Sequence, residues 1–185
     1  MLNPLLFLKN ETPANWFWVD VSTQNLRVMQ AAHETVQYPI STALNGLGER
    51  RASACTPRGW HQVRAKIGAG LPANAILRGR RWTGDCYDAS KSPDENGHHD
   101  WILGRILWLS GMESGFNRGG CCDTFRRYIY IHGTADTARL GQPVSAGCIR
   151  MSPENVCILF PETTPGLPVF IGLQPPVDFP PLRRF

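Results

Sequence analysis

Short apolar runs separated by glycine and proline dominate the pattern of this chain. Three of them, at 19–21, 26–29 and 169–171, have the composition of strands. Few stretches are long enough for helices, because 18 glycines and 15 prolines interrupt the chain. The pattern predicts a mainly β fold, a β-rich α+β domain arranged as a sandwich or barrel with a few short helices.

The run 128–131 is typical of a buried strand because it contains only β-branched and aromatic residues. It leads directly to His132, and Gly133 then breaks the pattern. We therefore expect His132 at the end of a strand, in a position that often carries functional side chains.

One helix start is clear. Ser152 is a favourable N-cap, and Pro153 suits the first helical turn. The apolar residues Val156, Ile158 and Leu159 are available to pack on a core. The sequence predicts a helix that begins at about residue 153.

The length and composition fit one folded domain. A chain of 185 residues with 42% hydrophobic residues can bury one core. We divide it into an N-terminal tail (1–13), a domain (14–173) and a proline-rich C-terminal tail (174–185). The C-terminal tail is expected to run along the surface in an extended conformation.

The first ten residues contain an apolar run that is too short for a targeting or membrane segment. Pro4 interrupts the run, and neither a basic region before it nor a cleavage pattern after it is present. No stretch reaches the roughly 18 apolar residues of a membrane span. We expect a cytoplasmic protein without a membrane span, or a periplasmic one if another route exports it.

The net charge of +4 is modest, and the arginines are scattered along the chain. No nucleic-acid-binding motif accompanies them, so a nucleic-acid partner is not expected. A basic rim around a cleft would attract acidic ligands, although a solvated positive surface explains the arginines equally well.

Cys148 and His132 form the most informative pair. A thiol with a pKa of about 8.5 is a poor nucleophile at neutral pH and needs a nearby base, for which His132 is the best candidate. Small residues, Ser145, Ala146 and Gly147, precede the cysteine and leave backbone N–H groups accessible for an oxyanion.

Gly133 adds a third element to this pair. Its carbonyl oxygen could accept the proton of the second ring nitrogen of His132 and so fix the tautomer.

The stretch from His132 to Thr134, followed by residues 145–151 (SAGCIRM), resembles the signature of the L,D-transpeptidase catalytic domain family, also called YkuD. The resemblance extends over about residues 14–173. Further segments that carry it lie at 15–30, 38–42, 56–59 (TPRG) and 101–111.

The resemblance implies a role for each matching residue. Cys148 would be the acyl-accepting nucleophile and His132 the general base and later acid. The Gly133 carbonyl would orient His132, and the amides of Gly147 and Cys148 would form the oxyanion hole.

Four further residues are assigned to substrate binding. Ser145 would brace the loop, Arg150 would face substrate carboxylates, and Tyr130 lies in the preceding strand. Ala146 stands where many members carry His or Arg, so one substrate contact is missing. The sixteen-residue separation of His132 and Cys148 implies a short lid.

The implied function is acyl transfer on peptidoglycan stem peptides, without a metal or cofactor. Cys148 would attack the bond before the terminal D-alanine of a tetrapeptide and form a thioester. If water resolved the thioester, the protein would be an L,D-carboxypeptidase. If an amine resolved it, the protein would be an L,D-transpeptidase. The expected cytoplasmic location favours trimming of soluble muropeptides in murein recycling. Carbapenems are expected to acylate the same cysteine.

Two alternatives remain open. The first is a catalytically silent module that binds murein peptides, with Ala146 as a sign of lost activity. The second is a zinc-stabilised structural protein that uses 98–100 (HHD) and the adjacent cysteines 121–122, although no usual zinc-ligand spacing is present. The glycine-rich insertion 111–127 fits a cleft wall and a plain surface loop equally well.

Overall fold

The computed structural model describes residues 12–90 and 100–179. Within them the chain forms ten strands, one α-helix and two 3-10 helices, Gly120–Cys122 and Thr137–Arg139. Each helix in this part of the chain is too short or too polar to span a bilayer. The strands are β1 (Asn15–Asp20), β2 (Asn25–Gln30), β3 (His33–Ser41), β4 (Gly59–Ile67), β5 (Ala75–Arg78), β6 (Arg81–Cys86), β7 (Ile102–Gly111), β8 (Tyr130–Thr134), β9 (Ile149–Met151) and β10 (Pro168–Gly172), and the α-helix is α1 (Pro153–Glu162).

The strands form one sheet that closes on itself. Their order is β4, β10, β1, β2, β3, β9, β8, β7, and β7 pairs back with β4. The β5–β6 hairpin continues the sheet beyond one end of β7. The predicted β-rich, barrel-like fold is confirmed, and the three apolar runs lie in or at the ends of β1, β2 and β10.

The largest of three apolar clusters fills the barrel. Side chains alternate along each strand, so every second residue points inward and is removed from water. Burying an aliphatic side chain contributes roughly 1.5–3 kcal/mol, so this set supplies most of the stabilisation. The strand residues of the core are Phe17, Val19, Leu26, Ile40, Val63, Leu107, Leu109, Ile131, Ile149, Met151, Val169 and Ile171.

Strand β8 differs from its prediction at both ends. Tyr128 has a left-handed backbone (φ 58°), so the strand begins only at Tyr130. Gly133 does not end it, and His132 lies within the strand instead of at its end. A Cβ at Gly133 would lie 2.6 Å from the carbonyl oxygen of Leu103, so glycine is what allows β8 to approach β7 here.

Helix α1 begins as the sequence predicts. The Ser152 hydroxyl accepts a hydrogen bond from the backbone N–H of Asn155 (3.1 Å). Leu159 is buried as expected, but Ile158 is 59% exposed, so its assignment to the core is wrong. Phe160 joins the core instead of Ile158, because it lies four residues after the buried Val156 and so shares its helix face.

The C-terminal segment is docked at residues 174–179. Phe179 packs against the rings of Trp16 and Trp60, and the Trp60 indole donates to the carbonyl oxygen of Asp178 (3.0 Å). The described part of the tail is therefore anchored by aromatic contacts, and it bends at 174 and 177–178. Residues 1–11 and 180–185 lie outside the described residues, and the domain boundaries stay predictions.

Truncation of Leu159 to alanine should lower the free energy of unfolding by about 2–5 kcal/mol, because it leaves a cavity in the core. Ile158→Ala, the matched control on the exposed face of α1, should change it by less than about 0.5 kcal/mol. Urea denaturation of both variants measures the difference. Equal losses would show that α1 does not pack as described.

Candidate active site

The pairing of β8 with β9 brings His132 and Cys148 to one face of the sheet. The two strands are parallel, with Ile131 opposite Ile149 and His132 opposite Arg150. Ile131 and Ile149 point into the core. Their neighbours His132 and Cys148 therefore point to the outer face, where they occupy diagonal positions on adjacent strands.

The Cys148 sulfur is surrounded by backbone groups and apolar side chains. It accepts a hydrogen bond from the N–H of Tyr130 (3.4 Å), and its own proton points to the carbonyl oxygen of Tyr128 (3.5 Å). Burial raises the pKa of the Cys148 thiol to about 12, and the Tyr130 N–H and the charge of Arg127 offset this only in part. The Cys148 side chain is therefore a neutral thiol at neutral pH.

His132 is buried and held in one tautomer. Its Nδ1 lies 2.9 Å from the carbonyl oxygen of Gly133. A carbonyl can only accept, so Nδ1 carries the proton and Nε2 presents a lone pair. Burial lowers the pKa of His132 below its usual 6.5, so the imidazole is unprotonated at neutral pH.

Ser145 braces the turn that carries Cys148. Its hydroxyl donates to the carbonyl oxygen of Cys148 (2.6 Å) and accepts from the N–H of Gly147 (3.1 Å). The Gly147 amide, an expected oxyanion donor, is thus engaged by Ser145 in this structure. The role of the Gly147 amide as an oxyanion donor stays a prediction. It requires the Ser145 side chain to turn away from this amide.

Thr56 is a positioning residue whose role sequence reasoning missed. Its buried hydroxyl accepts from the N–H of Ala43 (2.9 Å) and donates to the carbonyl oxygen of Gly147 (3.0 Å). The TPRG segment contributes to the family resemblance, but the 91 residues between Thr56 and Gly147 hide their contact in the sequence. Thr56 ties the turn that carries Cys148 to the segment after β3.

Arg150 is placed differently from the expectation. Only 2% of it is exposed, and its terminal nitrogens bind the carboxylates of Asp100 (2.9 Å) and Asp136 (3.2 Å). A buried cation requires such partners. The guanidinium is therefore occupied by the protein's own carboxylates, neither of which the sequence identified as part of the site.

Tyr130 is also engaged within the protein. Its side chain is 5% exposed and lies edge-on to Trp108. The hydroxyl accepts a hydrogen bond from the Arg80 guanidinium (3.3 Å), while burial raises the pKa of the phenol. The backbone N–H of Tyr130 contacts the Cys148 sulfur, and a contact of the Tyr130 side chain with substrate stays a prediction.

Two cavities flank Ala146, which is exposed. The first, about 370 Å³, includes Asp100, Asp136, Arg139 and Arg150 in its wall. The second is about 350 Å³. Ala146 lines both, and its methyl group presents no polar atom to either. The second cavity is lined by Arg51, Ala52, Ala54, Arg126, Arg127, Tyr128, Ile129 and Ala146.

The end of the 111–127 insertion therefore forms a cleft wall. Arg126 and Arg127 line the second cavity, whereas Asn117 is buried and its side-chain amide donates to the carbonyl oxygens of Arg58 and Trp60. The insertion thus combines a cleft wall with a structural anchor.

The described residues give no support for a metal site. Among residues 12–90 and 100–179, no group of three or more His, Cys, Asp or Glu side chains could hold a metal ion. His98 and His99 of the suggested zinc set lie outside the described residues. The six cysteines are free. His61 is a core histidine that hydrogen-bonds Gly59 O and the Thr124 hydroxyl, and burial lowers its pKa to about 4.

Solved structures of L,D-transpeptidases are similar to this chain in fold. The enzyme from Mycobacterium smegmatis is 18% identical over 86% of this chain and 58% of its own, with a TM-score of 0.53. An L,D-transpeptidase in complex with imipenem is 18% identical (86% and 59% covered, TM-score 0.51). L,D-transpeptidase 3 from Mycobacterium tuberculosis, with a faropenem-derived adduct, is 20% identical (86% and 60% covered, TM-score 0.50).

These identities show the fold alone, and this chain spans less than two thirds of the length of each of the three structures. Sequence comparison with curated proteins gave no match. A family model, the L,D-transpeptidase catalytic domain, matches residues 14–171. With this match over most of its length, the chain belongs to the L,D-transpeptidase catalytic domain family.

Proposed function

We propose that this protein is a cysteine acyltransferase that acts on peptidoglycan stem peptides. The observation that carries the proposal is the hydrogen bond from His132 Nδ1 to Gly133 O, which leaves Nε2 as a base on the sheet face that holds Cys148. The substrate bond is the one between an L-centred diamino acid residue and the terminal D-alanine of a tetrapeptide.

The protonation states of the pair set the first step. A neutral thiol faces a neutral imidazole, so the proton moves from Sγ to Nε2 as the sulfur attacks the carbonyl carbon. His132 becomes an imidazolium whose Nδ1–H still donates to Gly133 O. It then protonates the departing amine of D-alanine, and a thioester remains on Cys148.

Backbone amides are the proposed donors to the oxyanion of the tetrahedral intermediate. At rest the Gly147 N–H donates to Ser145 Oγ, and rotation of the Ser145 side chain frees this N–H. We expect the freed N–H to donate to the developing charge together with the Cys148 N–H. Thr56 still holds the Gly147 carbonyl, so the turn keeps its shape.

Hydrolysis of the thioester is the proposed second step. An acceptor amine must be held in place, and Ala146 offers no polar side chain between the two cavities to hold it. Water needs no such contact. We therefore propose L,D-carboxypeptidase activity that converts tetrapeptides to tripeptides, with soluble muropeptides as substrates. The cytoplasmic location stays a prediction.

Acylation by β-lactams is part of the same proposal. Two structures with a similar fold are a complex with imipenem and one with a faropenem-derived adduct. A strained lactam carbonyl is attacked in the same way as the peptide carbonyl, so carbapenems should acylate Cys148.

The direct test is mass spectrometry of a muropeptide tetrapeptide incubated with the protein, with and without a free D-amino acid. Cys148→Ala and His132→Ala should each reduce turnover at least about a thousandfold, because they remove the nucleophile and its base. Cys157→Ala, the control thiol on α1, should leave turnover nearly unchanged.

The products decide between the possible functions. Loss of D-alanine alone indicates a carboxypeptidase, and replacement of D-alanine or formation of dimers indicates a transpeptidase. If the peptide stays unchanged with the wild type as well as with the variants, the proposal is contradicted and a silent peptide-binding module is favoured.

The pH dependence of kcat/KM tests the neutral pair. Burial lowers the pKa of His132, so the base form is lost only as the pH falls below the usual 6.5. We expect an acid limb below pH 6.5 and a plateau through neutral pH. A rate that instead rises continuously toward the thiol pKa of about 12 would show that the thiolate reacts without the help of His132.

A further inference from the structure

The two cavities beside Ala146 differ in charge. The wall of the first contains two aspartates and two arginines, and these side chains form ion pairs with one another. The wall of the second contains Arg51, Arg126 and Arg127 and no carboxylate. We call the second cavity the arginine cleft. It has an excess of positive charge that no residue in its wall offsets.

Arg127 is a fixed cation at the base of the arginine cleft. Its guanidinium donates to the carbonyl oxygens of Gly48 (3.0 Å), Glu49 (2.8 Å) and Cys55 (2.5 Å). Burial lowers the pKa of Arg127, because its hydrogen-bond partners do not fully replace the water that the charged guanidinium loses. An anion in the cleft would supply the missing compensation.

Arg51 and Arg126 are exposed, and among the described residues neither guanidinium has an ion-pair partner. The neighbouring Asp123 carboxylate feels the charge of Arg126, but its hydrogen bonds come from the backbone N–H groups of Gly119 (2.8 Å) and Arg126 (2.9 Å). Two guanidinium groups thus remain available to a ligand.

The arginine cleft adjoins the reacting sulfur. Tyr128 lines the cleft, and its carbonyl oxygen lies 3.5 Å from Cys148 Sγ. Ala146, also in the wall, precedes the nucleophile by two residues. The arginine cleft is therefore one of the two cavities into which a peptide bound at Sγ can extend.

We propose that the arginine cleft is a subsite for a carboxylate of the stem peptide, held by Arg126 and Arg51 in the field of Arg127. This inference rests on the proposed function and names its substrate contact. Guanidinium groups bind carboxylates through paired, charge-assisted hydrogen bonds. The carboxylate recognition expected of Arg150 thus falls to residues of the insertion and of the segment after β3.

Calorimetric binding to the full chain carrying Cys148→Ala tests this subsite without turnover. Three ligands are compared: a tetrapeptide, the same peptide with its C-terminal carboxylate amidated, and one with an internal carboxylate amidated. Arg126→Gln and Arg51→Gln should each weaken binding of the tetrapeptide on the order of tenfold. Arg118→Gln removes an exposed arginine outside the cleft and should have no effect.

The pattern across ligands identifies the bound group. If the peptide with an amidated C-terminus binds weakly and Arg126→Gln does not weaken it further, the cleft holds the C-terminal carboxylate. If the peptide with an amidated internal carboxylate behaves in this way, the cleft holds the internal carboxylate. The proposal is overturned if both cleft variants bind every peptide as Arg118→Gln does, if they weaken all three equally, or if no peptide binds. Turnover by the wild type tests the proposed function separately, so the two can fail independently.

Discussion

The parallel pairing of β8 with β9 is the constraint on which the rest of the structure depends. Ile131 and Ile149 are neighbours in this pairing, and both are fully buried in the barrel. A shift of one residue in either strand would turn these isoleucines outward, at a cost of several kcal/mol. The same core packing that fixes the register therefore places His132 and Cys148 on the outer face, so the hydrophobic effect positions the chemistry.

Burial also sets the electrostatics of this pair. It disfavours both the thiolate and the imidazolium, so the resting site is neutral and charge develops only during the reaction. The fixed groups that would stabilise this charge are backbone dipoles: the Tyr130 N–H at the sulfur and the Gly133 carbonyl at the imidazole. Among the charged side chains nearby, Arg150 is paired with two aspartates, and the arginines of the arginine cleft have no carboxylate in the cleft wall.

The sequence predicted the features that depend on local pattern. The strand runs, the Ser152 cap and the family signature lie in short segments, and the β fold followed from them. Side-chain partners that depend on distant residues were not predictable: Asp100 and Thr56 are 50 and 91 residues from the groups they hold. Ile158 was misassigned because an apolar residue does not by itself reveal which helix face it occupies. The left-handed Tyr128 backbone was missed because its residue type favours strands.

The measurement that tests the central claim most directly is the site of imipenem attachment, found by mass spectrometry of the intact protein and of its digested peptides. The account predicts one adduct per chain on the peptide that contains Cys148, formed much more slowly when His132 is replaced by alanine. An adduct on another cysteine, such as Cys55, or no adduct at all would contradict the assignment of Cys148 as the nucleophile.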